Sequence, residues 1–447
     1  MTLTAIPRAK GRPLLGNFPE FRSDPLGFFT ELSRQHEKIA QFSLGPQSFY
    51  IVFDLDMIRE ILVTKGAVMH RVERIVGILK KTMGDSLLTT DGDWWRQQRK
   101  LIQPAFHHQQ IATYAETMVK HALATTQLWQ DNAVRDIEKD MDRMTLAIVT
   151  AALFNDDGAS KADLIADGIT TLQALGTKQM AAIIELPDWI PTPVRQQQKA
   201  GSTALRTAIL EVIRARRNSG ERKPDLLSML IEAKDEETGQ GMDDATICSE
   251  VLTLYLAGYD TTALTLSFTW YELARNPEIE AKFHAEIDRV LDGRLPTLSD
   301  LPKLEYTKQI FNETLRMYPP TWFNAREATE AVEIGGYPFQ KGDVLFMSPY
   351  VTHRDPRWWG DGDTYRPERF ANNATDGWHK FQYMPFGGGN HICIGNQFAL
   401  MEGPLAMATI GQRFRFELVT PDQQVELEPQ ITMGPKGGIP LRIKQRR

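Results

Sequence analysis

One of the two cysteines lies in a segment whose residue types favour metal ligation. The segment 386–395 reads Phe-Gly-Gly-Gly-Asn-His-Ile-Cys-Ile-Gly, and it places Cys393 just before a predicted helix from Asn396 to Phe414. Glycines let a loop bend tightly and bring its backbone close to a flat ligand. The unpaired N–H groups and positive dipole end of a helix N-terminus favour a thiolate. The segment therefore predicts a thiolate that binds a soft or borderline metal; a free cysteine in a turn is the alternative.

A second unusual segment lies in the middle of a long predicted helix. The helix begins at Asp243 or Asp244 and ends at Asn276, before Pro277. Its roughly 32 residues, at about 1.5 Å each, span about 48 Å. Its centre, Leu256–Ala263, holds a glycine and polar side chains where core packing predicts apolar ones. A mid-helix glycine costs about 1 kcal/mol relative to alanine, and a buried aspartate costs more unless it has a partner. The segment predicts a functional site; a satisfied Asp–Thr pair is the alternative.

Two further pairs have a spacing that suggests joint action. Trp95 and Arg99 are four residues apart, so an indole N–H and a guanidinium on one helical face can meet one carboxylate. A surface Trp–Arg stack is the alternative. Glu313 and Arg316 form one of several Glu-x-x-Arg pairs in the chain, and most such pairs are solvated surface contacts.

The elements around these residues are predicted to be mostly helical, with small sheets at one side. A helix from Pro25 to His36 precedes two strands, Ile39–Leu44 and Ser48–Phe53, and the pattern from about Asp54 to Asn276 is then mostly helical. Further strands are predicted near Glu333–Gly336, Val344–Met347, Phe414–Leu418 and Gly438–Ile443. Because no repeat or linker divides the chain, we expect a single domain, 1–447, with a sheet-rich part at about 1–60.

Composition and charge exclude several classes of protein. The chain has 447 residues, 42% of them hydrophobic, and can bury a large core. A formal net charge of −6 argues against a nucleic-acid binder. No signal peptide and no membrane-spanning stretch is predicted, so we expect a cytoplasmic protein. Two cysteines are too few for a disulfide framework or a Cys-based zinc or iron–sulfur site, and Cys248 is predicted to be a core residue.

The cysteine loop resembles the haem-binding loop of the cytochrome P450 family, Phe-x-x-Gly-x-Arg/His-x-Cys-x-Gly. Phe386, Gly389, His391, Cys393 and Gly395 all match this pattern. The resemblance implies the cytochrome P450 fold, with a long central helix over a buried haem b (iron protoporphyrin IX). It makes Cys393 the iron ligand and His391 a hydrogen-bond partner of a haem propionate. Thiolate ligation donates electron density to iron and favours O–O cleavage.

Other motifs follow in the order that the family shows. By this resemblance, Glu313 and Arg316 join Arg369 in a buried triad near the cysteine loop, where the triad stabilises the structure and takes no part in catalysis. Trp95 and Arg99 match the Trp-x-x-x-Arg of the helix that reaches the haem propionates. The resemblance extends over nearly the whole chain.

The resemblance also assigns roles along the central helix, whose segment from Ala257 to Thr261 is expected to lie over the haem. Gly258 would permit a local widening of the helix for water and dioxygen. Thr261 would hydrogen-bond where oxygen is activated, and Asp260 would relay protons from solvent as a general acid. Arg326 falls where the family places a propionate-binding arginine. The implied reaction inserts one atom of dioxygen into an apolar small molecule.

The substrate class stays open between fatty acids, terpenoids, steroids and polyketides. Trp322, Phe323 and Met433 suggest an apolar cavity. The segments expected to line it are Val72–Met83, Met180–Ile190, Thr321–Asn324 and Ile431–Gly434.

Electrons are expected from a separate ferredoxin or flavodoxin with its reductase, docked near Arg96 and Lys100; ordinary solvated charges are the alternative there. Two other functions remain. A peroxygenase of the same fold would replace the Asp260-Thr261 pair by an Arg–Pro arrangement, which this sequence does not have. A haem-binding sensor or carrier would have no use for that pair.

Overall fold

The computed structural model describes residues 5–155, 192–372 and 374–446, together with Gly168, Thr171 and Leu175. The predicted pocket segment Met180–Ile190 lies outside these residues. The α-helices are Phe18–Ser23, Pro25–Gln35, Leu55–Arg59, Glu73–Met83, Gly92–Ile102, His108–Ile111, Ala115–Thr126, Ile137–Phe154, Pro193–Ser219, Leu226–Glu232, Asp244–Arg275, Pro277–Leu291, Glu305–Met317, Pro349–Thr352, Pro356–Trp359 and Asn396–Gly411. Short 3₁₀ or π turns occur at Glu60–Thr64, Gln103–Phe106, Ala112–Tyr114, Leu298–Lys303, Pro367–Phe370 and Gly389–His391. Within the described ranges, no helix is both long and apolar enough to cross a bilayer.

Small sheets lie beside this helical body, so the predicted fold class is confirmed. The strands are β1 Ile39–Leu44, β2 Gln47–Val52, β3 Met69–His70, β4 Val134–Asp136, β5 Asn324–Ala328, β6 Val332–Ile334, β7 Tyr337–Phe339, β8 Val344–Met347, β9 Phe414–Leu418, β10 Leu427–Pro429, β11 Met433–Pro435 and β12 Pro440–Gln445. The largest sheet has the order β1-β2-β8-β5-β3, in which only β2 and β8 pair in parallel. The order β4-β12-β9 forms a second sheet, and β6-β7 and β10-β11 are hairpins.

Two predicted elements are corrected. The strand expected near Glu333–Gly336 is the hairpin β6-β7, in which Gly335 and Gly336 have positive φ and make the turn. The helix expected to reach Phe414 ends at Gly411, because Phe414 already pairs with β12 at Gln445. Helical and strand patterns overlap at this point of the sequence, and pairing with a distant strand decides between them.

The long central helix has the predicted bounds, Asp244–Arg275. The Asp243 carboxylate caps its start by accepting a hydrogen bond from Thr246 N at 2.7 Å. Gly258 lies against helix Ile137–Phe154, and a Cβ at this position would be 3.0 Å from Val149 Cγ2. The missing side chain therefore permits close approach of the two helices. The segment is a regular α-helix throughout, so the widening expected at Gly258 is not present.

The predicted triad is present beneath the cysteine loop. Glu313 is fully buried and accepts from Arg316 Nε and Nη2, both at 2.8 Å, while Arg369 Nε lies 3.4 Å from Glu313 Oε1. His353, which the sequence analysis missed, joins the triad to the loop. Its Nε2 accepts from Met384 N at 2.9 Å, so Nδ1 carries the proton and donates to Arg316 O at 3.2 Å. Burial lowers the pKa of His353 to about 3, consistent with this neutral form.

Candidate active site

A cavity of about 350 Å³ lies between the central helix and the cysteine loop. Apolar side chains dominate its walls, and the polar and charged groups that line it come from a few positions. Phe106, Val149 and Leu254 are among the apolar residues that the sequence analysis did not place there. No motif marks them, because helix periodicity shows that a residue is buried but not whether it faces a core or a cavity.

The cysteine loop folds as its glycines predict. Gly387 and Gly389 have φ of 71° and 68°, and a Cβ at Gly389 would lie 1.8 Å from Leu62 O. Cys393 N donates to Phe386 O at 3.0 Å, which holds the loop closed. Helix Asn396–Gly411 starts directly after Gly395, so the cysteine lies at a helix N-terminus as expected.

The Cys393 thiol is accessible to the cavity, although protein surrounds it. Burial raises the pKa of this thiol, whereas a backbone hydrogen bond from Gly395 and the nearby Arg99 lower it. A neutral thiol is therefore favoured until a cation compensates the desolvated sulfur. Among the described residues there is no cluster of three or more His, Cys, Asp or Glu that could hold a metal. Cys393 is thus suited to be a single axial ligand of a metal that another group also binds.

Basic side chains gather on one side of the cavity. Arg326 is 8% exposed, and its only hydrogen bond among the described residues goes from Nη1 to Ala325 O at 2.9 Å. Burial, together with the charge of Arg71, lowers the pKa of Arg326 to about 10. His391 Nε2 lies 3.1 Å from Asp91 Oδ1, whereas its buried Nδ1 has no hydrogen-bond partner in the described part of the chain. Burial lowers the pKa of His391 to about 4, so its Nδ1 is an acceptor while Nε2 donates to Asp91. The incompletely satisfied guanidinium of Arg326 fits an anion, which the carboxylates of a haem would supply.

Arg71 is a further member of this cationic side, and the sequence analysis missed it by one residue. Its guanidinium donates to Thr90 O at 2.6 Å and to Leu87 O at 2.9 Å, and it pairs with Asp91 at 3.2 Å. Arg71 also lines the cavity. No spacing signal could have identified it, because its partners lie about twenty positions away in the chain.

Trp95 and Arg99 line the cavity from helix Gly92–Ile102, but both side chains already donate hydrogen bonds to groups of the chain. Trp95 Nε1 donates to Leu87 O at 3.1 Å, and the Trp95 ring contacts the His391 ring at a centroid distance of 4.0 Å. Arg99 donates from Nη1 to Ile392 O at 3.0 Å and from Nε to the Gln103 side chain. Trp95 therefore contributes a wall of the cavity rather than the free N–H that the sequence predicted.

The central helix presents Ala257, Gly258 and Thr261 to the cavity. Thr261 Oγ1 donates to Ala257 O at 3.0 Å. Asp260 does not line the cavity; its charge acts on Glu138 and Asp142 of the neighbouring helix Ile137–Phe154. Thr261 thus faces the cavity, whereas the adjacent Asp260 lies near the carboxyls of the neighbouring helix.

Two carboxyls beside Asp260 are strongly perturbed. Burial, followed by the charge of Asp260, raises the pKa of Asp142 to about 8. Burial, with Asp136 and Asp260, raises the pKa of Glu138 to about 7. These groups can hold protons near neutral pH behind the central helix.

Several other predicted positions are corrected. Of the segment 321–324, Thr321 and Asn324 line the cavity, whereas Trp322 packs on Phe29 and donates from Nε1 to Gln430 O at 2.9 Å. Met433 is fully buried in the core. The segment Val72–Met83 borders a separate polar cleft of about 630 Å³.

Cys248 is a core residue, as predicted. The two cations expected at a docking surface are ion-paired: Arg96 with Asp93, and Lys100 with Asp235 at 3.1 Å.

Comparisons with known proteins agree with this geometry. The family profile described as Cytochrome P450 matches residues 6–441. Cyclooctat-9-en-7-ol 5-monooxygenase of Streptomyces melanosporofaciens is 33% identical, over 91% of this chain and 88% of the relative. Cyclooctatin synthase of the same organism is 34% identical, over 96% and 94%. Pentalenene oxygenase of Streptomyces avermitilis is 31% identical, over 92% and 91%.

A solved structure is also similar to the whole chain. The crystal structure of the cytochrome P450DA heme domain superposes with a TM-score of 0.91 at 27% identity, covering 100% of this chain and 98% of that one. The family implies haem b, dioxygen and redox partners, and the cavity, the thiol and the basic side chains around them fit that cofactor. The chain belongs to the cytochrome P450 family and is a haem-dependent monooxygenase that inserts one atom of dioxygen into an apolar small molecule.

Proposed function

We propose that this monooxygenase oxidises a terpenoid and that Cys393 is the ligand of its haem iron. The single observation that carries the ligand assignment is the Cys393 thiol at the cavity wall, with the buried Arg326 and the half-buried Arg71, Arg99 and His391 around the same cavity. The terpenoid assignment rests on relatives named for cyclooctatin and pentalenene. It agrees with the predominantly apolar lining, which suits a hydrocarbon skeleton.

The cofactor supplies the activation of dioxygen, and the chain's own residues hold and orient it. Arg326 would donate charge-assisted hydrogen bonds to the haem carboxylates. His391, which is neutral while its Nε2 donates to Asp91, would donate from Nδ1 only after it gains a second proton. Arg99 reaches the loop carbonyl of Ile392 and lowers the pKa of the Cys393 thiol, so it supports the thiolate form. Phe386 and Gly395 flank the sulfur, and the ring of Trp95 closes the wall beside His391.

Proton delivery is assigned to the central helix. The Thr261 hydroxyl, on the cavity side, exchanges its hydrogen bond to Ala257 O for one to a proton acceptor in the cavity. Asp260 passes protons toward it from the side of helix Ile137–Phe154. Ala257 leaves room for water beside the hydroxyl because its side chain is only a methyl group, whereas the space beside Gly258 is taken by Val149.

The experiment that tests the ligand assignment is the replacement Cys393→His. Haem-reconstituted protein should lose the absorption band of the reduced carbon monoxide complex that is characteristic of thiolate ligation. Cys248→Ser is the matched control, because it removes the other thiol, which lies in the core, and it should keep the band. Persistence of the band in Cys393→His would exclude Cys393 as the ligand.

We further propose a separate ferredoxin or flavodoxin, with its reductase, as the electron donor. Arg96 and Lys100 are the candidate contacts. Arg96 can exchange its exposed partner Asp93 for a carboxylate of an acidic partner at little cost, because exposed ion pairs contribute about 0–1 kcal/mol. The Lys100 ammonium is half exposed, although Asp235 is buried, so it can contact such a partner while it keeps the pair. Charge-reversal variants Arg96→Glu and Lys100→Glu should slow reduction by such a donor and leave dithionite reduction unchanged; equal rates with the donor would contradict the assignment.

A further inference from the structure

Two exposed leucines lie next to each other at the tip of an N-terminal loop, and the first of them is the most exposed large apolar side chain among the described residues. Leu14 is 94% exposed and Leu15 is 51% exposed. Leu14 also has φ of 63°, in the left-handed region that residues other than glycine, asparagine and aspartate rarely adopt. Leu14 thus combines an unfavourable backbone conformation with an almost fully exposed side chain.

The loop that carries these leucines is rigidly fastened. Arg12 and Gly16 exchange backbone hydrogen bonds of 2.8 and 2.9 Å, which close the tip. The buried side chain of Asn17 donates to Lys10 O at 2.9 Å and accepts from Ser43 N at 3.1 Å, so the loop is anchored to β1. The exposure of the leucines is therefore a fixed feature of the fold.

Basic residues precede the tip in the chain. Arg8, Lys10 and Arg12 are exposed, and the first acidic residue of the sequence is Glu20, although the whole chain carries a formal charge of −6. Glu20 pairs with Arg12 at 2.8 Å in an exposed ion pair, which is weak. The segment that leads to the two leucines therefore carries three exposed cations, although the formal charge of the whole chain is negative.

We propose that the Leu14–Leu15 tip is an anchor that binds the protein reversibly to the surface of an anionic lipid bilayer. The leucines would enter the interface between headgroups and acyl chains, while Arg8, Lys10 and Arg12 contact anionic headgroups. A protein partner is disfavoured, because two convex side chains are far short of the roughly 800 Å² per partner in a standard interface. A bilayer needs no matching shape, since its surface deforms around the tip.

Vesicle co-sedimentation of the full-length holoprotein tests this proposal. Vesicles of phosphatidylcholine with roughly a third phosphatidylglycerol should bind the protein, and pure phosphatidylcholine should bind it at least about fivefold more weakly for each cation engaged. Leu14→Asn combined with Leu15→Ser should weaken binding at least about tenfold. Asparagine adopts positive φ readily and keeps the turn. The matched control is Leu128→Ser, which removes another exposed leucine, 60% exposed and outside this loop, and should bind as wild type does.

Three results would overturn the proposal. The first is wild-type protein that does not distinguish anionic from neutral vesicles. The second is unchanged binding by the double variant. The third is a change of oligomeric state in the double variant without vesicles, measured by light scattering, which would make the tip a contact between copies of the chain.

Discussion

Replacement of Glu313 by glutamine should destabilise the protein by about 3–5 kcal/mol, the usual cost of breaking a buried ion pair. Glutamine keeps the shape of glutamate but removes its charge, and it turns an NH₂ group toward one of its donors. Oε1 accepts from Arg316 Nη2 and from Arg366 N at 2.7 Å, and Oε2 accepts from Arg316 Nε at 2.8 Å. Arg316 and Arg369 are both buried, so two guanidinium groups would lose their shared counter-charge.

A matched control lies elsewhere in the same chain. Glu31 and Arg34 have the same Glu-x-x-Arg spacing, but their side chains are 57% and 69% exposed and their charged atoms are 3.9 Å apart. Glu31→Gln should therefore change stability by less than about 0.5 kcal/mol. The two variants differ in burial and not in sequence pattern, so the comparison isolates the contribution of tertiary structure.

Urea denaturation of the haem-loaded protein, followed by circular dichroism and by the visible haem band, measures both variants. If the two probes separate, the free energy is taken from the transition in which the haem band is lost. A cost for Glu313→Gln within 1 kcal/mol of the Glu31→Gln control would refute the reasoning, because it would mean that the buried cations do not depend on this carboxylate.

Three further predictions follow from the site. Thr261→Ala should leave haem content unchanged and release more reduced oxygen as hydrogen peroxide per electron consumed; unchanged product per electron would contradict the assigned role. Gly389→Ala should abolish haem retention, because its Cβ would lie 1.8 Å from Leu62 O at a φ of 68°, whereas Gly377→Ala, with open space around it, should retain haem. Asp142→Asn should gain stability relative to wild type by about 1.4 kcal/mol for each pH unit between about 4 and 8, and no further above that range. The raised pKa of Asp142 means that the folded state binds this proton more tightly than the unfolded state does, so wild-type stability falls as the pH rises toward about 8. The stability difference between variant and wild type should therefore shrink toward pH 4. A stability difference that does not change with pH would refute the role of Asp142.

Local sequence determined much of the site. The glycines before Cys393 and the helix after it predicted a closed loop with a thiol at a helix N-terminus, and the structure has that loop. Caps and a proline gave the bounds of the central helix, Asp244–Arg275. These signals are readable because backbone conformation, capping and helix termination depend on residues only a few positions apart.

Tertiary packing decided which groups act together. Nothing in the sequence showed that Arg71 joins the cavity, that His353 connects Arg316 to Met384, or that Trp95 donates to a carbonyl of its own chain. Their partners lie from eight to more than thirty positions away in the chain. A hydrogen-bond donor takes whichever acceptor the packed chain brings within reach, so its partner is fixed only when distant elements meet. For the same reason Asp260 and Thr261, adjacent in sequence, face different surroundings in the fold.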